Sequence, residues 1–127
     1  MTPQIPAVLL ELSDLLIRNG RPGVPEAERA SELGISAMLL SVTAEIWDRQ
    51  AHILVEENRA IRAILGQAGD DPDLHLTALQ AENNRLRAAL IEAHAAAEAA
   101  GDTGKEAAIW AELRASTERR KLASAPV

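Results

Sequence analysis

Between Pro25 and Gly66 lie forty residues without a proline, interrupted by one glycine, Gly34, and their apolar side chains recur at three- and four-residue steps. That period gathers apolar residues on one side of an α-helix, whereas a half-buried strand would need strict alternation. A continuous helix over this stretch would be about 60 Å long at about 1.5 Å per residue. A rod of that length cannot bury its own surface, so other segments must fold back against it. Gly34 is its weak point: a close-packing contact, a kink, or the place where a later start for the long helix is set.

The remaining chain agrees with this frame. Its 127 residues include 25 Ala, 17 Leu, 9 Ile and 5 Val, with no Phe, Tyr or Cys. Ala and Leu lose little side-chain entropy in a helix, and the aromatic residues that favour pleated surfaces are nearly missing. We expect an all-α, four-helix bundle-like fold in a single domain, 1–127. Its centre is a long antiparallel helical hairpin (about 25–65 and 72–100), flanked by a short N-terminal helix and a C-terminal helix. Gly and Pro set the joints. The first helix runs from about Gln4 to Arg18 and stops at Asn19-Gly20 in a left-handed turn, followed by the connector Arg21-Pro22-Gly23-Val24-Pro25. After the break at Gly66 to Asp70, Asp71-Pro72 is placed to cap and open the third helix, which ends at Gly101. Thr103-Gly104-Lys105-Glu106 has capping-box spacing and opens a fourth helix to about Leu122, with 123–127 frayed.

The long helix carries two apolar stripes. Leu33, Ala37, Leu40, Ala44, Trp47, Ala51, Leu54, Asn58, Ile61 and Leu65 alternate by fours and threes, as a coiled-coil seam does. Ile35, Leu39, Val42, Ile46, Ile53 and Ile64 form the other. The third helix has a matching seam that includes Leu79, Asn83, Leu86 and Leu90. Folding it back across the turn pairs positions whose numbers sum to about 141. Asn58 then meets Asn83, and Trp47 meets His94. A seam asparagine fixes register at some cost in stability, so Asn58 and Asn83 are read as register-setting. A faint internal repeat accompanies them, Glu57-Asn58-Arg59-Ala60-Ile61-Arg62 against Glu82-Asn83-Asn84-Arg85-Leu86-Arg87. On the fourth helix Trp110 is the expected anchor.

On the first helix Ile5, Val8, Leu9, Leu12, Leu15 and Leu16 cover one face, and Leu10 and Ile17, seven apart, form a second stripe nearly opposite. Two apolar sides on a short helix ask for two partners, and a homodimer supplies the second economically. The expected interface is therefore Leu10, Ile17, Ile35, Leu39, Val42 and Ile46. The plainer alternative is that Leu10 and Ile17 are simply exposed.

Little in the sequence carries chemistry. Without Cys there are no disulfides, thiolate nucleophiles or Cys-ligated metals, which suits a reducing cytoplasm. A net charge of -6 and only two aromatic residues, Trp47 and Trp110, argue against nucleic-acid binding. No apolar run reaches the roughly 18 residues of a membrane span, and Arg18 interrupts the first one, so neither a signal peptide nor a membrane segment is expected. Asp48, His52 and Glu56 follow one another at four-residue steps on the long helix, a spacing that would let them share a metal; more commonly such a set is a solvated, salt-bridged face. No cofactor is expected.

One acidic pattern has a family likeness. Glu11-x-x-Asp14 and Glu45-x-x-Asp48 each place two carboxylates on one helical face, and hard oxygen ligands suit Mg²⁺. The pairs distantly resemble the acidic motifs with which all-α nucleotide pyrophosphohydrolases hold magnesium. The resemblance rests on these four residues. It departs from that pattern where Asp14 stands in place of a glutamate, and the connection between the two pairs is long. It implies a Mg²⁺-dependent nucleotide hydrolase. The leading expectation is instead a non-catalytic helical-bundle protein, a homodimeric adaptor, scaffold or accessory subunit; a bundle that holds an apolar ligand between the two stripes is a third.

Overall fold

The computed structural model describes residues 4–20 and 22–123, so Arg21 and residues 124–127, the latter expected to fray, lie outside the described residues. The fold is an all-α helical bundle of α1 (Ile5–Asn19), α2 (Glu26–Leu65), α3 (Leu76–Ala100) and α4 (Thr103–Arg120). Two compact units divide the chain, one over Met1–Asp48 with Leu122–Val127 and the other over Arg49–Lys121; α2 contributes to both. No helix among the described residues is long and apolar enough to cross a membrane.

In the first unit, α2 runs through Gly34 without a break. A Cβ at Gly34 would meet nothing within 4 Å, so no close contact accounts for this glycine, and the helix does not start late there. Among the described residues the buried side chains are Ile5, Leu12, Leu15 and Asn19 from α1 with Ser36, Thr43 and Ile46 from α2. The hydroxyl of Ser36 donates to the Glu32 carbonyl at 2.8 Å, which satisfies it within its own helix. The end of α1 differs from the expected left-handed stop. Gly20 has φ -75°, an ordinary right-handed value. Asn19 closes the helix through its side chain, donating to the Leu15 carbonyl at 2.9 Å and to the Glu32 carboxylate.

In the second unit, both helix ends that carry a positive-φ glycine close in the same way. At Gly66 (φ 66°) the Gln67 N–H reaches back to the Arg62 carbonyl at 2.9 Å, and at Gly101 (φ 66°) the Asp102 N–H reaches the Ala97 carbonyl at 2.9 Å. This six-to-one bond with a left-handed residue is the Schellman closure, and glycine enters that conformation at no steric cost. Two starts were displaced from expectation. Helix α3 begins at Leu76 rather than at 72, because the Asp71 carboxylate is drawn into an ion pair with Arg62 at 2.7 Å and is lost to capping. The cap of α4 is Asp102, whose Oδ1 accepts from the Lys105 N–H at 3.0 Å, one residue before the expected Thr103. An ionised carboxylate is the stronger acceptor at the positive end of a helix.

The apolar centre of this unit is Ile61, Leu86, Leu90 and Ile109, with Ile64, Leu65 and Leu113 at its edge. Burying each such side chain contributes roughly 1.5–3 kcal/mol. Ile109, not Trp110, anchors α4: Ile109 is 1% exposed and Trp110 49%. Adjacent residues on a helix point about 100° apart, so one of the two must leave the core. The Trp110 ring meets His94 edge-on instead, with centroids 5.4 Å apart.

Candidate functional site

The second unit is pinned by a buried polar cluster that grows out of the internal repeat. Asn83 Nδ2 donates to Asn58 Oδ1 at 3.0 Å, so the two seam asparagines meet in one layer. Around them the Glu of each repeat pairs with the Arg of the other: Glu57 with Arg87 at 3.4 Å and Glu82 with Arg62 at 3.0 Å. An antiparallel hairpin brings two similar motifs into this reciprocal arrangement. Asn58 Nδ2 also donates to Asp71 at 3.1 Å, tying in the turn before α3.

Glu57 is the residue that sequence reasoning missed, and it is fully buried. Its carboxylate accepts from Arg120 Nε at 2.9 Å, from Asn83 Nδ2 at 3.1 Å and from the Ser116 hydroxyl. Two of these three donors come from α4. Arg49 completes the attachment by donating to the Arg119 carbonyl at 2.7 Å and the Lys121 carbonyl at 3.0 Å, at the end of that helix. Burial pushes the Glu57 carboxyl up, but the Arg120 and Ser116 hydrogen bonds and the charges of Arg120 and Arg87 outweigh it, holding the group below its ordinary value. The Arg85 hydrogen bond holds Glu82 down, burial opposes it, and the Arg62 hydrogen bond and the charges of both arginines add to bring the group to about 2. Both carboxylates are ionised and paired, and Glu57 is enclosed while Glu82 is half-buried, which suits structure rather than proton transfer at neutral pH. Arg62 Nη1, Asp71 Oδ2 and Asn83 Oδ1 are buried without a partner, a cost that offsets part of what the cluster contributes to stability.

The carboxylates singled out in the sequence are occupied otherwise or face water. Glu11 pairs with Arg18 at 3.2 Å, Asp14 and Asp48 are exposed, and half-buried Glu45 accepts from the Ala123 N–H at 2.8 Å. His52 is exposed and Glu56 pairs with Arg59 at 2.8 Å. Among the described residues no three His, Asp or Glu side chains are placed to hold one metal ion.

The apolar surface of the first unit is the other notable feature. Leu10 is 70% exposed, Ile17 59% and Ile35 46%, whereas Leu39 and Val42 are half-buried and Ile46 is buried. The seam residues of the same unit stand open: Leu33 is 47% exposed, Leu40 54% and Trp47 66%. Of the two stripes on this part of α2, the Ile46 stripe is the better covered and the coiled-coil seam is the open one. A helical wheel shows both stripes and contains no information about which of them a neighbour takes.

No protein-family model matches the chain, and neither a curated protein nor a solved structure is significantly similar to it.

Proposed function

We propose that this chain is a non-catalytic helical-bundle protein that acts through protein contacts, with a second copy of itself as the first partner. One observation carries the reading. Twelve large apolar side chains are exposed among the described residues, and nine of them belong to the first unit. They comprise Leu9, Leu10, Leu16 and Ile17 on α1 and Leu33, Ile35, Met38, Leu40 and Trp47 on α2. Apolar area concentrated in this way is characteristic of an interaction surface. The contrast with the second unit supports an adaptor, scaffold or accessory subunit: there the polar groups are tied into a buried network, and here the apolar groups are left open. A chain with no thiol and a net charge of -6 suits a cytoplasmic setting.

Size-exclusion chromatography with light scattering at low micromolar concentration tests the reading. The expected mass is twice the 13.6 kDa of the chain. A clean monomer would overturn it. Leu10→Glu combined with Ile17→Glu should weaken association while leaving the far-ultraviolet helix signal intact, since both side chains are already in water.

A further inference from the structure

The open seam on α2 has an internal order that specifies how a second copy would sit on it. Over residues 30 to 47, one row of seam positions is all alanine, Ala30, Ala37 and Ala44, and the other is all large, Leu33, Leu40 and Trp47. All six are exposed. The same heptad continues into Leu54, Asn58 and Ile61, which are buried, and there Asn58 meets Asn83 of the antiparallel α3. This row of α2 is thus already a pairing surface in the second unit.

We infer that two copies of this chain associate through this seam with their α2 helices antiparallel, Ala37 of each beside Leu40 of the other. The inference rests on the self-association proposed above and adds the face and the direction. A parallel pair stacks like positions on like, alternating layers of two alanines with layers of two large side chains. Alanine layers would then leave voids while Trp47 and leucine layers held the helices apart, and protein interfaces do not tolerate such gaps. In an antiparallel pair each alanine row faces the large row of its partner. With Ala37 beside Leu40, Ala44 falls beside Leu33 and Ala30 beside Trp47, so all six exposed positions are used and every layer joins one small residue to one large. Of the flanking positions, Gly34 and Ser41 are small, uncharged and exposed, which permits close approach on that side, while Ser36 and Thr43 are already buried within the unit.

Three variants of the full chain test this. Leu40→Glu should raise the dimer dissociation constant at least about thirtyfold, as for a central interface residue. Ala37→Leu should weaken the dimer about tenfold even though it adds apolar surface, because it overfills a layer that already holds a leucine. The chain has no cysteine, so a nitroxide on Glu28→Cys, exposed and on the side of α2 away from the seam, reports a single distance. Copies paired in the inferred register hold the labelled positions about 32 Å apart along the helix, from about 21 residues at about 1.5 Å each. A separation under about 25 Å means a parallel pair and overturns the inference, as does an Ala37→Leu variant that binds itself more tightly. A dimer unaffected by Leu40→Glu overturns the seam while leaving self-association standing. A monomeric wild-type chain overturns both.

Discussion

Replacing Glu57 by Gln isolates the charge that fastens α4. The two side chains are nearly the same size, so no cavity opens and the loss is electrostatic. Glu57 is fully enclosed, whereas the side chains of Arg120 and Arg87 keep 22% and 39% of their exposure. Removing one partner of a buried ion pair costs about 3–5 kcal/mol, chiefly because the other charge is left uncompensated. Here both arginines can turn partly to water, and Ser116 and Asn83 can still donate to the amide oxygen of Gln. The expected loss is therefore at or just below the lower end of that range, about 2–3 kcal/mol. Against a total stability of about 5–15 kcal/mol for a domain, that is large. Urea unfolding followed by circular dichroism would read it as a lower midpoint with an unchanged slope. Arg120→Gln should remove much of the same energy, and the double variant should cost clearly less than the two single losses added together. A loss below about 0.5 kcal/mol for Glu57→Gln, with additive behaviour in the double variant, would refute the assignment of Glu57 as the fastening charge.

Three further outcomes follow from individual contacts. Glu57 and Glu82 are both held below the ordinary 4.5, so the unfolded chain binds their protons first as pH falls; their stabilisation is present above about 4.5 and is lost as pH falls below it, the Glu82 share by about 2, which urea midpoints across that range would follow. Glu112, raised by burial against the pull of Arg119, acts in the opposite sense just above 4.5 and blunts the onset of that loss. Gly34→Ala should raise stability by about 0.5–1 kcal/mol in thermal unfolding, because α2 is continuous there and the added methyl group meets nothing within 4 Å; an unchanged or lower midpoint would contradict that geometry. Asp102→Ala removes the carboxylate that accepts from Lys105 and should cost about 1 kcal/mol, with faster amide exchange in the first turn of α4.

Much of this fold was legible because its signals are local. The helix stops at Gly66 and Gly101 need a left-handed residue that glycine adopts most readily, and both glycines are in that conformation. The meeting of Asn58 with Asn83 was legible because a polar residue in an apolar seam has few other places to go. Glu57 was not, since it flanks the seam and reads as one more acidic residue on a helix. It is buried only because α4 crosses it and Arg120 reaches back from 63 positions along the chain. The internal repeat was visible as letters, yet its reciprocal ion pairs exist only once the hairpin has closed. Asp71 shows the reverse: it was read as the cap that opens α3, and its carboxylate is instead paired with Arg62 while the helix starts at Leu76.

Alanine and leucine content, three- and four-residue spacing and the placement of glycine determined by themselves that the chain is all-α and that four helices form, because backbone entropy and helical period act within a few residues. Tertiary structure decided which side of each helix is occupied. On α2 the two apolar stripes are equivalent as sequence, and contact across the fold left Leu33, Leu40 and Trp47 open while Ile46 was covered. Burial depends on what arrives from a distance, and a pattern along one helix holds no record of it.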